Sequence, residues 1–175
     1  MRPYKSFETD RLIIRPTSEE DAPFVLELLN TPKWLQYIGD RNVRTVEDAK
    51  VYIQSRMDPQ LQKLGFSNYT LIRKSDQAKI GVCGLYDREG LEGIDIGFAF
   101  LPAYENQGYA FEAAAEVKRA GMEEFGITLL RAITTKDNKS SQRLLEKLGF
   151  RYSQLVQLPD DEVELLLYEY RADQV

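Results

Sequence analysis

Residues 93–114 read GIDIGFAFLPAYENQGYAFEAA, a strand that runs through a short turn into the mouth of a helix. Along the strand, Ile94, Ile96, Phe98 and Phe100 point one way, and Asp95, Gly97, Ala99 and Leu101 point the other. One face is bulky, and the other carries small residues and one carboxylate. Such a face admits a slender ligand along the strand, or equally a bulky side chain from a packed element. Beyond Pro102, Gly108 and Ala110 put two small residues at the helix start. A helix start leaves backbone N–H groups without partners, and the helix dipole adds positive potential there. The N–H groups of Asn106, Gln107, Gly108, Tyr109, Ala110 and Phe111 therefore form a candidate anion cradle, although an ordinary helix start with a glycine reads the same way. Neither G-x-x-x-x-G-K-[ST] nor G-x-G-x-x-G occurs, which excludes the P-loop and the Rossmann fingerprint.

Working outward, RLIIRP (11–16) reads as a first strand. Residues 18–30 read as a helix capped by Ser18, with Asp21 in its first turn and Phe24, Leu28 and Leu29 on one face. Residues 45–65 are a second helical region, capped by Thr45 with Asp48 three residues on and a break near Pro59. Strands are predicted at 66–74, 79–87 and 93–101, then a helix to about Phe125 closed by Gly126. A strand at 129–135, a helix at 138–149 stopped by Gly149, and strands at 150–158 and 162–171 complete the chain. Strands in a hairpin run that then alternate with helices imply an α/β fold with a mixed sheet covered on its faces. The 175 residues suffice for one domain with a real core, read as spanning 1–175.

Composition excludes several chemistries. The chain has no histidine and one cysteine, Cys83, which disfavours Ser or Cys triads and zinc sites, and predicts no metal. A lone cysteine fits a reducing cytoplasm. The net charge of −5 without a basic cluster argues against nucleic acid, and no apolar run has the length of a membrane span or a signal peptide. Cys83 could carry an acyl group, but Gly81 and Leu85 share its strand face, which reads as a buried structural thiol.

The helix at 138–149 places Asn138, Ser141 and Leu145 on one face. Asn138 can cap the helix or offer its amide to a ligand, and Ser141 offers a hydroxyl that donates one hydrogen bond or is simply solvated. At this point three motifs combine. ETDRLIIRP (8–16), DIGFAFLPAYENQGYAFEA (95–113) and DNKSSQRLLEKLGF (137–150) together resemble the GNAT superfamily of acyl-CoA N-acyltransferases, and most of all its ribosomal-protein N-terminal acetyltransferase (Rim-type) branch. The resemblance implies a central mixed sheet of six to seven strands flanked by about four helices. It implies acetyl-CoA as co-substrate, with its diphosphate on the N–H groups of Asn106 to Phe111 and its pantetheine arm along Phe98, Phe100 and Leu101. A bulge in that strand would splay it from the next and open the slot. Asn138 and Ser141 fall near the arm and the thiol. In the family's [RQ]-x-x-G-x-[GA] loop, Gly108 and Ala110 fill the small positions, while Glu105 stands where Arg or Gln is usual. A carboxylate turned toward a diphosphate repels it, and one turned to solvent does not.

Transfer from a thioester to an amine needs a neutral amine, a proton acceptor, donors to the carbonyl oxygen and a donor to the departing thiolate. Asp95 and Glu92 are the carboxylates nearest the slot, and Asp95 is preferred as proton acceptor for its strand face, although a surface charge or a pairing with an arginine reads the same way. Ser141 is the candidate donor to the thiolate, with Tyr104 and Tyr109 as alternatives that packing would also explain. Trp34 and Tyr37 lie where family members build the acceptor pocket, and core packing would place them there as well. Glu112 suits the helix dipole and receives no catalytic role. The expected partners are acetyl-CoA and an amine acceptor, a peptide N-terminus or a small amine, for a protein working as monomer or homodimer. A non-catalytic acyl-CoA-binding sensor on the same fold is the alternative.

Overall fold

The computed structural model describes residues 4–159 and 161–172, and builds them around an eight-stranded sheet. Its strands are β1 (Phe7–Glu8), β2 (Leu12–Pro16), β3 (Asn68–Arg73), β4 (Lys79–Tyr86), β5 (Ile94–Phe100), β6 (Leu129–Thr135), β7 (Arg151–Val156) and β8 (Leu165–Arg171). They lie in the order β1-β2-β3-β4-β5-β6-β8-β7, antiparallel throughout except for the parallel pair β5–β6. The helices are α1 (Ala22–Leu29), α2 (Pro32–Tyr37), α3 (Val46–Arg56), α4 (Asp58–Leu64), α5 (Tyr109–Glu123) and α6 (Lys139–Lys147). β1 and α2 are the elements that the sequence reading did not anticipate. β1 is two residues long, too short for an alternating pattern. α2 opens with Pro32 at its first turn and buries none of its residues, so it leaves no helical stripe.

Alternation along β4 and β5 sorts the core into two layers. Cys83, Leu85 and Ile96 pack with Ala113, Ala114 and Val117 of α5 and Leu145 of α6. Val82 and Leu101 pack on the other face with Val25 and Leu28 of α1 and Ile53 of α3. The face assignment read from residues 94–101 therefore holds: Phe98 and Phe100 join the α5 layer, and Ala99 and Leu101 the α1–α3 layer. No helix among the described residues is long and apolar enough to cross a membrane.

Under α1 runs a buried polar chain anchored on Asp21, which is 0% exposed. Both its oxygens take an Arg15 N–H at 2.8 Å, Lys79 Nζ lies 2.7 Å from Oδ1, and the Ser18 N–H caps Oδ2 at 3.0 Å. Thr70 Oγ1 donates to Oδ2 at 3.0 Å, which orients everything behind it. Thr17 donates to Thr70, the Asn68 amide donates to Thr17, and the Tyr86 hydroxyl donates to Asn68 Oδ1, at 2.8, 2.8 and 2.5 Å. The sequence reading saw Ser18 and Asp21 only as a helix start.

Burial alone would raise the Asp21 carboxyl, but the hydrogen bonds from Arg15, Lys79 and Ser18 outweigh it and bring it down to about 2. A depressed carboxylate adds stability that is complete above its unfolded value of about 4 and vanishes as pH falls through its folded value. Asp21→Asn should therefore unfold more easily in urea at pH 7 by about 2 kcal/mol. The gap to wild type should close between about pH 4 and pH 2. A constant gap across that window would assign the loss to packing instead of charge.

Candidate active site

The site begins where β5 and β6 part. They pair only at Ile94–Leu130 and Asp95–Arg131. Beyond that, β5 keeps its full register with β4, from Tyr86–Asp95 to Gly81–Phe100, and β6 keeps its own with β8, from Leu129–Arg171 to Thr135–Leu165. A V-shaped gap opens between Gly97–Leu101 and Ala132–Thr135. The expected bulge in β5 is absent from its register with β4, whose pairing is continuous; the register shifts in the sheet lie at Leu71/Ile72 and Tyr152/Gln154. Past the last shared pair each strand stays with its outer neighbour.

The small face of β5 is not the slot. A Cβ on Gly97 would lie 3.0 Å from the Tyr86 ring, and one on Gly84 would lie 2.6 Å from its hydroxyl. Tyr86 covers both glycines, so of the two readings of that face, the one filled by a bulky side chain is observed at Gly97. Asp95 shares the face and is 1% exposed. Both its oxygens are held by Arg88, with Nε 3.0 Å from Oδ1 and Nη2 3.1 Å from Oδ2. Burial pushes this carboxyl above its usual range, against the pull of Arg88. Asp95 therefore stands at the apex of the gap with no face open to an amine. Glu92 is exposed, and its backbone carbonyl accepts from Arg131, which also pairs with Glu169 at 3.1 Å.

At the open end of the gap, Asn106 and Gly108 both adopt left-handed backbone, φ 59° and 83°, and Gly108 caps α5. No backbone N–H from Asn106 to Phe111 has an acceptor among the described residues. A shallow groove of about 590 Å³, lined by Thr9, Arg11, Gly108, Phe111 and Glu112 among others, leads from the loop along α5. The loop is held from behind by the β1–β2 hairpin. Glu112 takes the Thr9 hydroxyl at 2.5 Å and the Arg11 backbone N–H at 3.0 Å, both on Oε2, and Arg11 Nε at 2.7 Å on Oε1. Arg11 also donates to the Gln107 carbonyl at 3.0 Å and lies 4.1 Å over the Tyr109 ring. Burial opposes ionisation of Glu112, but the bonds from Thr9 and Arg11 hold it below the usual carboxylate range. Sequence reasoning credited Glu112 only with the helix dipole; the ETDRL motif beside it was the available signal. Glu105 turns neither to the loop N–H groups nor to open solvent, but forms an ion pair with Lys33 of α2.

Asn138 Oδ1 caps α6 on the Ser141 N–H at 3.2 Å, which leaves the Asn138 amide N–H groups and the Ser141 hydroxyl without partners among the described residues. Gln142 ties α6 to β6 through the carbonyls of Thr135 and Lys136. Cys83 is buried in the α5 layer, and burial pushes its thiol well above the usual range. Tyr109 lies beneath Arg11, and Tyr104 beneath Arg73 at 4.9 Å. Trp34 borders the α1–α3 layer with its indole N–H unpaired among the described residues, while Tyr37 is half-buried.

The family description "Acetyltransferase (GNAT) domain" matches residues 11–151. The uncharacterized N-acetyltransferase YnaD of Bacillus subtilis is 30% identical over 143 residues, 82% of this chain and 81% of that one. A GNAT-family acetyltransferase structure from Bacillus anthracis superposes with a TM-score of 0.78 at 24% identity, over 95% of this chain and 98% of the other. A structure of RimL, a ribosomal L7/L12 α-N-protein acetyltransferase in complex with coenzyme A, reaches 0.81 at 17% identity, over 95% and 98%.

The loop geometry itself can be tested. Gly108→Ala asks an L-residue to hold φ near 83° and brings its Cβ to 3.2 Å from Arg11 Nη2. The folded state should lose about 1 kcal/mol in urea unfolding, and an unchanged midpoint would mean that the left-handed turn is not the solution conformation.

Proposed function

The chain belongs to the GNAT acetyltransferase family, and from that premise we propose that it transfers acetyl from acetyl-CoA to a primary amine by direct attack in a ternary complex, with a protein N-terminal α-amine as acceptor. The observation that carries this reading is the run of unpaired N–H groups from Asn106 to Phe111 at the open end of a gap between two strands. Coenzyme A supplies the activated thioester. The diphosphate would take the loop N–H groups, and the amide-bearing arm would take the free edge of β5 at Phe98, Phe100 and Leu101, with the Asn138 amide facing it. Lys33 neutralises Glu105, which removes the electrostatic objection to a carboxylate beside the diphosphate. Backbone donors of the free β5 edge would polarise the carbonyl, and the Ser141 hydroxyl would donate to the departing sulfur.

Direct attack is supported by Cys83, the only thiol, which is sealed in the core and held protonated. An α-amine is supported by the locked state of Asp95. With Asp95 held by Arg88, an amine that is neutral by itself needs no such base, and at pH 7 roughly one α-amine in ten is, against roughly one lysine amine in 2,500. RimL acts on an α-amine by its name.

Thiol release from acetyl-CoA over peptides, polyamines, amino acids and aminoglycosides tests the reading. Acetylation of peptide N-termini is expected. Tight coenzyme binding without release by any amine would favour the sensor alternative, and no binding at millimolar acetyl-CoA in calorimetry would overturn both.

The proton of the amine is assigned to water, because Asp95 can accept it only after Arg88 leaves. Asp95→Asn should then keep the wild-type shape of the pH–rate profile. A loss concentrated at low pH and recovered as pH rises would restore Asp95 as the base.

A further inference from the structure

Four buried side-chain polar atoms lack partners among the described residues, and two of them, Thr134 Oγ1 and Thr135 Oγ1, end β6 at the gap. Thr134 is 6% exposed. It alternates with Leu130 and Ala132, which lie in the α5–α6 layer, so its side chain is on the face that α6 covers. Continuing the β5–β6 register past Asp95–Arg131 sets Thr134 level with Phe98, in the part of the sheet where the strands no longer pair. The fold leaves this hydroxyl idle, although an unpaired buried hydroxyl lowers stability and valine would fill the same volume. The face it occupies also carries Ser141 and Asn138 at the start of α6.

We propose that Thr134 is a second sulfur-side donor of the acetyl-transfer site, an inference that rests on the acetyl-CoA reading above. The amine lone pair forms the C–N bond at the thioester carbon. The C–S bond then breaks, its electron pair stays on sulfur, and the amine proton passes to water. The thiolate accepts hydrogen bonds from Thr134 Oγ1 and Ser141 Oγ, and neither hydroxyl gives up its proton. Hydrogen bonds to a thiolate are stronger than those to a thioester sulfur, so the contact tightens as charge develops and acts on turnover more than on binding.

Thr134→Val keeps the shape and removes the donor, and Thr134→Ser keeps the donor. Turnover and KM, calorimetric affinity for coenzyme A and for desulfo-coenzyme A, and urea stability are measured for each. Thr134→Val should lower kcat about tenfold, change KM for acetyl-CoA less than twofold, and lose the preference for coenzyme A over the desulfo analogue. It should be at least as stable as wild type, and Thr134→Ser should retain kcat and the preference. Full turnover with an unchanged preference in Thr134→Val would overturn the proposal. So would an equal loss of affinity for both coenzymes, which marks a packing effect, or a failure of serine to rescue. A wild-type protein that binds no coenzyme would instead overturn the acetyl-CoA reading beneath it.

Discussion

The separation of β5 from β6 after two residue pairs governs this structure. Each strand satisfies its backbone toward its outer neighbour, and inside the gap both present an edge that the protein does not pair. Buried backbone groups require partners, so an interior edge persists only where water or a ligand takes that place. The apex carries charge. Asp95 and Arg131 face each other across the last pair, and each is tied away from the other, Asp95 to Arg88 and Arg131 to Glu169 and the Glu92 carbonyl. An ion pair as buried as Arg88–Asp95 gains little net stability, because desolvation offsets the attraction. It holds the Asp95 side chain in place at the last β5–β6 pair.

The open end of the gap depends on contacts far away in sequence. Glu112 gathers Thr9 and Arg11 onto the first turn of α5, and Arg11 in turn pins Gln107 and covers Tyr109. Two left-handed residues, Asn106 and Gly108, hold the intervening turn so that its N–H groups remain free. The Lys33–Glu105 pair is partly exposed and worth at most about 1 kcal/mol to the fold. Its consequence is electrostatic: it cancels a negative charge at the edge of a donor cluster and couples α2 to the loop.

Local pattern made much of this legible. Strict alternation assigned both faces of β5, the bounds of β6 were read as 129–135, and the glycine spacing located the turn before α5. Features that failed to show were those whose cause is a distant partner. A pairing of Asp95 with an arginine was one of its two readings, but nothing near it decides for Arg88 across the loop, and nothing near Gly97 announces that Tyr86 fills its face. Asp21 looks like a first-turn acid, whereas its partners Arg15, Thr70 and Lys79 arrive from three strands. The splay is a matter of long-range pairing: similarity suggested a slot opened by a bulge in β5, whereas the β4–β5 register runs without one.

The groups gathered at the gap share a physical character. They are backbone N–H groups, an amide and hydroxyls, and the one carboxylate at the apex is engaged by arginine. The N–H groups, the amide and the hydroxyls do not change charge near neutral pH, and the chain has no histidine. A site of this kind lowers a barrier by holding donors where charge develops, at no reorganisation cost when the bond breaks. It cannot tune the protonation of the incoming amine. On the reading proposed above, the acceptor's own pKa therefore sets the working pH, and selection among amines follows as much from their basicity as from the shape of the pocket.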